Sequence, residues 1–305
     1  MAQPDLTTKL GPLELRTPLI AASGTVGSVW EWAGVADVTV YGAAVAKSVS
    51  PEPWAGRDEP RLAPTGAGML NGIGIQNPGI EVWHEDFGAH LSSVDVPIWG
   101  SAVAHDPDGY ATVGRGLEEA GVTAIEANLS CPNLDDGVMF SFEAQAAARV
   151  VAAMRSCVAV PIGAKLSPNT PDVVGVARAC REAGADFVVL TNTAFGFGID
   201  TESRRPRLSG GVGGYSGIGL KPIALRCVYE VASSLPGFPI VGCGGVATGD
   251  DVAEYLMAGA SAVAAGTIHL AEPKAGRRIA KELRSRLDEL DAPGVTDLIG
   301  AVKAW

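Results

Sequence analysis

A short apolar run, a polar or glycine-containing loop and an amphipathic stretch follow one another repeatedly along this chain. That order constrains the fold more than any other feature. Parallel strands cannot be joined by tight turns; each needs a crossover, usually a helix. Eight apolar runs have the length of strands: Pro18–Ala22, Ala43–Lys47, Pro97–Ala102, Ala124–Asn128, Pro161–Lys165, Phe187–Thr191, Pro239–Cys243 and Ala262–Ala265. The clearest helical stretches are Asp108–Ala120, Phe142–Arg155, Pro171–Ala183, Leu220–Ser234, Asp250–Met257 and Lys274–Leu290. Asp250 and Asp251, after Gly249, are expected to supply an N-terminal cap and first turn. Eight strand–helix units favour a closed (β/α)8 TIM barrel over an open doubly wound sheet. No low-complexity segment or linker interrupts the 305 residues, so residues 1–305 are expected to form one barrel domain. The longest interruption, Ser50 to Val96, reads as an elaborated loop above the barrel mouth.

Charge and cysteine usage narrow the function. The formal net charge of −11, with no Lys/Arg-rich run, disfavours nucleic acid as a partner. Met1 to Leu10 lacks the apolar core of a signal peptide, and no stretch approaches the ~20 apolar residues of a membrane span. A cytoplasmic protein is therefore expected. Its five cysteines, Cys131, Cys157, Cys180, Cys227 and Cys243, form no CxxC pair, so neither an iron–sulfur cluster nor a structural zinc is expected. His84, His90, His105 and His269 form no ligand-spaced pair and read as surface or structural residues, with no metal implied.

In such barrels the chemistry gathers at the C-terminal ends of the strands. Those ends carry Ala22-Ser23-Gly24, Lys47-Ser48, Glu126-Ala127-Asn128, Lys165, Thr191-Asn192-Thr193, Gly242-Cys243-Gly244-Gly245 and Ala265-Gly266-Thr267. Any one of these residues is explained equally well by a helix cap or a loop contact. Two lysines, two asparagines and the thiol of Cys131 at separate strand ends are not. Gly244-Gly245 and Gly266-Thr267 follow the last two strands, where many barrels bind a phosphate. Lys165 suits either a Schiff base or a cation beside a cofactor ring that becomes anionic on reduction. Cys131, between Asn128 and Asn133 on a loop, suits a base, although a lone buried cysteine is more often inert.

Asn128-Leu129-Ser130-Cys131-Pro132-Asn133 resembles the catalytic loop of class 1 dihydroorotate dehydrogenases. Gly68 to Gly79 resembles their substrate loop. Ala22-Ser23-Gly24, Ala164 to Asn169, Asn192-Thr193, Gly213 to Gly217 and Gly242 to Val246 match in the same order, so the resemblance runs from about Leu10 through the last barrel helix. It implies an FMN-dependent barrel that oxidises dihydroorotate to orotate in pyrimidine biosynthesis. Class 1 members use a cysteine base, whereas class 2 members use serine. Ile75-Gln76-Asn77 looks more like class 1B than class 1A, whose loop typically ends Leu-Pro-Asn. Class 1B members pair with a subunit carrying FAD and a 2Fe–2S cluster and pass electrons to NAD. Such a partner, and a homodimer, are the implied assembly.

Carried over, the resemblance makes Cys131 the base and places Lys165 beside the flavin. Lys47, Asn71, Asn128, Asn133, Asn192 and Thr193 would hold the pyrimidine ring. The Gly72 to Ile75 segment would receive the carboxylate on backbone N–H groups of Ile73, Gly74 and Ile75. Ala22, Ser23, Gly24, Lys47, Ser48, Ser101, Asn128, Thr191, Gly217, Gly244, Gly245, Gly266 and Thr267 would line FMN. The sequence departs from the family at Ser101, where an Asn is usual, and at Gly211-Val212, where Arg-Thr is common. A related flavin oxidoreductase acting on another dihydropyrimidine, cyclic enone or imide would use most of the same residues.

Overall fold

The computed structural model describes residues 3–129 and 139–303. Eight parallel strands close into a barrel: β1 Leu19–Ala21, β2 Ala43–Val45, β3 Ile98–Ala102, β4 Ala124–Asn128, β5 Ile162–Leu166, β6 Phe187–Leu190, β7 Ile240–Cys243 and β8 Ala262–Ala265. Neighbours follow chain order, β8 pairs with β1, and β5–β6 continues the ring through Lys165 opposite Val189. Pro18, Pro97, Pro161 and Pro239 each stand just before a strand rather than inside it. Proline has no N–H to give to a ladder but keeps its carbonyl. All four carbonyls accept from the adjacent strand, at Val263, Ala44, Ile125 and Val188, over 2.8, 3.0, 2.9 and 3.0 Å.

Each strand is followed by helix: α1 Trp30–Ala33, α2 Ile80–Phe87, α3 Pro107–Glu119, α4 Ala144–Arg155, α5 Val173–Glu182, α6 Lys221–Ser234, α7 Gly249–Met257, then α8 Ile268–Ala271 and α9 Ala275–Glu289. Caps fix several starts. Asp106 accepts from Gly109 N at 2.8 Å, and Asp172 accepts from Gly175 N at 2.7 Å. The expected cap of α7 is corrected by the structure. Thr248, not Asp250, is the N-cap, and Asp251 completes a capping box.

The lower half of the barrel is filled by side chains. Trp99 and Phe187 meet there with ring centroids 5.2 Å apart. Gly163 makes room for them: a Cβ at that position would lie 2.1 Å from the Phe187 ring. A short antiparallel hairpin, Thr8–Leu10 with Leu13–Leu15, closes this end and adds Leu10 and Leu15 to the same core.

The opposite end is built differently. Leu62–Thr65, Gly68–Asn71, Gly213–Ser216 and Ala194–Gly196 form a four-stranded antiparallel sheet. Two segments far apart in sequence therefore share one sheet, with Asn71 opposite Gly214. Helix α2 and the 3-10 turn Gly88–Ser93 complete the segment between β2 and β3. Among the described residues, no helix is long and apolar enough to cross a membrane.

Candidate active site

A cavity of about 640 Å³ opens at the C-terminal mouth of the barrel. Ala22, Ser23 and Gly24 enter its wall after β1, and Lys47 and Ser48 after β2. Asn128 comes from β4 and Lys165 from β5, while Thr191, Asn192 and Thr193 follow β6. Gly244 and Gly245 follow β7, and Gly266 and Thr267 follow β8. The antiparallel sheet and its flanks supply Asn71, Ile73, Ile75 and Gly217. Gly72 and Gly74 belong to the same segment but do not line the cavity. Ser101 is fully buried beneath the wall and is linked to it through Ser48. Cys131 and Asn133 lie outside the described residues.

The amides are oriented by a relay of hydrogen bonds. Ser101 Oγ and Ser48 Oγ are 2.8 Å apart, and Asn128 Nδ2 donates to Ser48 Oγ at 3.2 Å. Asn192 Nδ2 donates to Asn128 Oδ1 at 3.1 Å, while Asn192 Oδ1 accepts from Thr193 N at 2.9 Å. The Tyr110 hydroxyl donates to the Asn128 carbonyl at 2.7 Å and holds that strand end. An amide nitrogen carries two hydrogens. The relay uses one from Asn128 and one from Asn192, which leaves a donor on each for a ligand carbonyl.

The Ile73-Gly74-Ile75 segment is set by backbone geometry. Gly74 and Ile75 both have positive φ, 69° and 51°. For a branched residue this conformation costs roughly 1–2 kcal/mol. Buried Asn77 offsets it by clamping the segment. Its Nδ2 donates to the Ile75 carbonyl at 2.8 Å, and its Oδ1 accepts from Ser50 N and Gly79 N at 3.0 and 2.9 Å. A Cβ on Gly74 would meet Arg57 N at 2.7 Å, so both φ and space require glycine there.

Lys165 is only 6% exposed, and its Nζ lies 3.1 Å from Oε1 of Glu126, itself 2% exposed. Burial alone would push the ammonium pKa down, but the Glu126 carboxylate holds it above the ordinary lysine range. A lysine kept charged is a poor nucleophile, so the geometry favours an electrostatic cation over a Schiff base. Burial pushes the facing Cys243 thiol up, against the pull of Lys165, so it is held neutral. Glu126, at a strand end, belongs to none of the motifs that assign a role from sequence. The signal was present: a carboxylate stands two residues before Asn128, on the same face of an otherwise apolar strand.

At the other end of the cavity, Gly217 and Gly245 have φ of 100° and 71°. Thr191 Oγ1 is buried without a hydrogen-bond partner among the described residues. Lys221 is not available to this end, because its Nζ is held by Asp251 at 2.6 Å and Glu254 at 2.9 Å. Thr25, Met69, Ser216, Ile218 and Leu270 also line the cavity and were not singled out from the sequence.

Residues 5–287 match the family model for dihydroorotate dehydrogenase. Similar curated proteins bear the name "dihydroorotate dehydrogenase B (NAD(+)), catalytic subunit". The one from Geobacter sp. strain M21 is 39% identical over 305 residues, covering 99% of this chain and 100% of the relative. That from Pelobacter propionicus is 41% identical over 303 residues, covering 99% of each. That from Listeria welshimeri is 40% identical over 297 residues, covering 96% of this chain and 97% of the relative. Matched by the family model over residues 5–287 and about 40% identical to these relatives over nearly its whole length, the chain belongs to the dihydroorotate dehydrogenase family, oxidoreductases that act on a CH–CH bond.

Proposed function

We propose that this chain oxidises dihydroorotate to orotate in pyrimidine biosynthesis, with FMN bound in the barrel mouth and Cys131 as base. The observation that carries the proposal is the convergence of oriented amides and one buried cation in a single cavity. Its volume of about 640 Å³ lies in the usual range of cofactor and ligand pockets, roughly 300–1,000 Å³.

The residues fit a flavin mononucleotide. Lys165 brings a cation, Thr191 Oγ1 is buried without a partner among the described residues, and Gly217, Gly244, Gly245 and Gly266 would let backbone approach a phosphate. Ala22, Ser23, Gly24, Ser48 and Thr267, which line the same cavity, would complete its surroundings, and Ser101 supports Ser48 from below. FMN supplies the acceptor for the two electrons that leave the substrate.

The chain's own groups do the rest. The remaining amide hydrogens of Asn128 and Asn192, with Asn71, Asn133 and Lys47, match the donors and acceptors of an imide ring. Thr193 lies beside them. Backbone N–H groups of Ile73, Gly74 and Ile75 receive the carboxylate. Cys131 takes the proton from the carbon next to the ring carbonyl. The relatives are named as catalytic subunits of an NAD(+) enzyme. A second subunit carrying FAD and a 2Fe–2S cluster is accordingly proposed to take the electrons on to NAD, and the barrels to pair as a homodimer.

The test is anaerobic reduction of the bound flavin by dihydroorotate. Denatured protein should release FMN at one per chain. A positioned general base contributes typically ~10²–10⁴-fold, so Cys131→Ala should slow flavin reduction by about that factor. Orotate should still perturb the flavin spectrum of the variant. Reduction of Cys131→Ala at the wild-type rate would remove the thiol from the mechanism. Reduction of wild type by another dihydropyrimidine but not by dihydroorotate would replace the substrate.

A further inference from the structure

Glu126 does not line the cavity, but its ion-pair partner Lys165 does. Across the sheet its neighbours are Ser101 and Gly163, a small residue on each side that leaves space for a carboxylate inside the barrel. Asn128, the next inward residue of β4, pairs with Lys165 itself. The groups around Lys165 are therefore few. β4 presents Glu126 and Asn128, β6 presents apolar Val189, β7 presents the neutral thiol of Cys243, and Lys47 enters the same cavity after β2. Among the described residues, no Asp or Glu lines the cavity wall. Among the described residues, Glu126 is thus the carboxylate that balances Lys165.

Stability alone is a poor account of the pair. Desolvation of two buried charges consumes much of their attraction, and an apolar pair of similar volume often serves a core as well or better. What the pair does achieve is a fixed cation at the floor of the cavity. Without Glu126 the Lys165 ammonium, 6% exposed, would lose its ion pair at 3.1 Å and face burial uncompensated among the described residues.

We propose that Glu126 is a positioning residue that keeps Lys165 protonated and directed at the cavity floor, so that reduction of the bound flavin takes up one proton per two electrons well into the alkaline range. The inference deepens the flavin reading and rests on it for its second half. The proton balance is simple. Oxidised flavin gains two electrons and one proton to give its anionic reduced form, whose charge the standing ammonium offsets. If Lys165 were neutral at the start, reduction would draw a second proton onto it.

Two readouts test this in the isosteric variant Glu126→Gln. The first uses flavin-free protein and an amine-acylating reagent, with Lys165 modification followed by mass spectrometry against pH. An opposite charge in contact typically moves a pKa by about one to three, so Lys165 should become about 10- to 1000-fold more reactive near pH 8. The second is an equilibrium reductive titration of the FMN-loaded protein at several pH values. Wild type should take up one proton per two electrons, and in Glu126→Gln the uptake should rise above one at a pH about one to three units lower than in wild type. Glu126→Asp keeps the charge but shortens its reach, and should fall between them in both measurements. It also carries the test if Glu126→Gln does not fold. A labelling profile unchanged in both variants overturns the proposal, whether or not flavin binds. An unchanged proton uptake beside a shifted labelling profile overturns its second half. Failure of wild type to bind FMN would overturn the flavin reading while leaving the labelling result to decide the role of Glu126.

Discussion

His269 is 2% exposed and sits among Tyr41, Thr25 and Trp32. Its Nε2 is 2.8 Å from the Tyr41 hydroxyl and its Nδ1 is 3.3 Å from Thr25 Oγ1. Burial pushes its pKa down from 6.5 to about 4. The sign of the linkage follows. Below pH 6.5 the unfolded chain binds a proton at this site and the native chain does not, until about pH 4. The contribution to stability is therefore complete above pH 6.5, is lost as pH falls and levels off below about 4. At 1.36 kcal/mol per pKa unit the whole loss is about 3 kcal/mol. His269→Gln should flatten the fall of the urea midpoint between pH 6.5 and 5, where folded carboxylates titrate little. Equal slopes in variant and wild type would contradict this account. Position 269 also marks a limit of sequence reading. Its spacing from the other histidines argued against a metal pair, but only the fold shows which partners surround it. Glu126 was legible in part, as a charge on an inward position. Its partner was not, because Lys165 is 39 residues away and adjacent only across the sheet.

At the scale of single elements, glycines and caps around the last two barrel units offer a graded test. Thr248→Ala removes the N-cap of α7 and should cost about 1 kcal/mol, seen as a lower urea midpoint with FMN affinity unchanged. Gly245→Ala differs in kind. Its φ is 71°, and a Cβ would lie 2.7 Å from the backbone nitrogen of Lys221. The backbone must move at the start of α6, so this variant should lose both stability and FMN affinity. If Gly245→Ala binds FMN as wild type does, the phosphate end of the cavity has been misassigned. The elements themselves differed in how clearly they could be read. Barrel strands were legible because proline marks the start of half of them, and because an apolar run then alternates with a crossover helix. The antiparallel sheet was not. Its strands are three or four residues long, rich in glycine, and pair across 143 positions, as Asn71 does with Gly214. No local period can encode such a pairing. Helix α2 was missed for a related reason, since it is a single short helix embedded in the segment Ser50 to Val96.

For the molecule as a whole, the cavity is a junction. Its wall draws on residues at or just after β1, β2, β4, β5, β6, β7 and β8, while β3 contributes through Ser101. The same strands carry the outer core against the helices and the inner core down to the N-terminal hairpin. A ligand in this position ties together seven of the eight strands at once. Such a barrel is expected to unfold as a unit, because no strand can leave without opening two parallel pairings. Binding to the native state alone adds RT ln(1 + [L]/Kd), about 2.7 kcal/mol at a hundredfold excess over Kd. For a domain of this size that corresponds to a rise in melting temperature of roughly 5 °C. FMN added to flavin-free protein should therefore shift one cooperative transition upward as a whole, followed equally by far-UV dichroism and by tryptophan emission. Trp99 in the lower core and Trp54 beside the antiparallel sheet sit at opposite ends of the barrel, so substituting each by Phe in turn reports the two ends separately. Riboflavin, which lacks the phosphate, should give a smaller shift at equal concentration. A shift seen only by Trp54 would mean that FMN orders the sheet without engaging the strand ends. Equal shifts with FMN and riboflavin would place no phosphate against Gly244, Gly245 and Gly266.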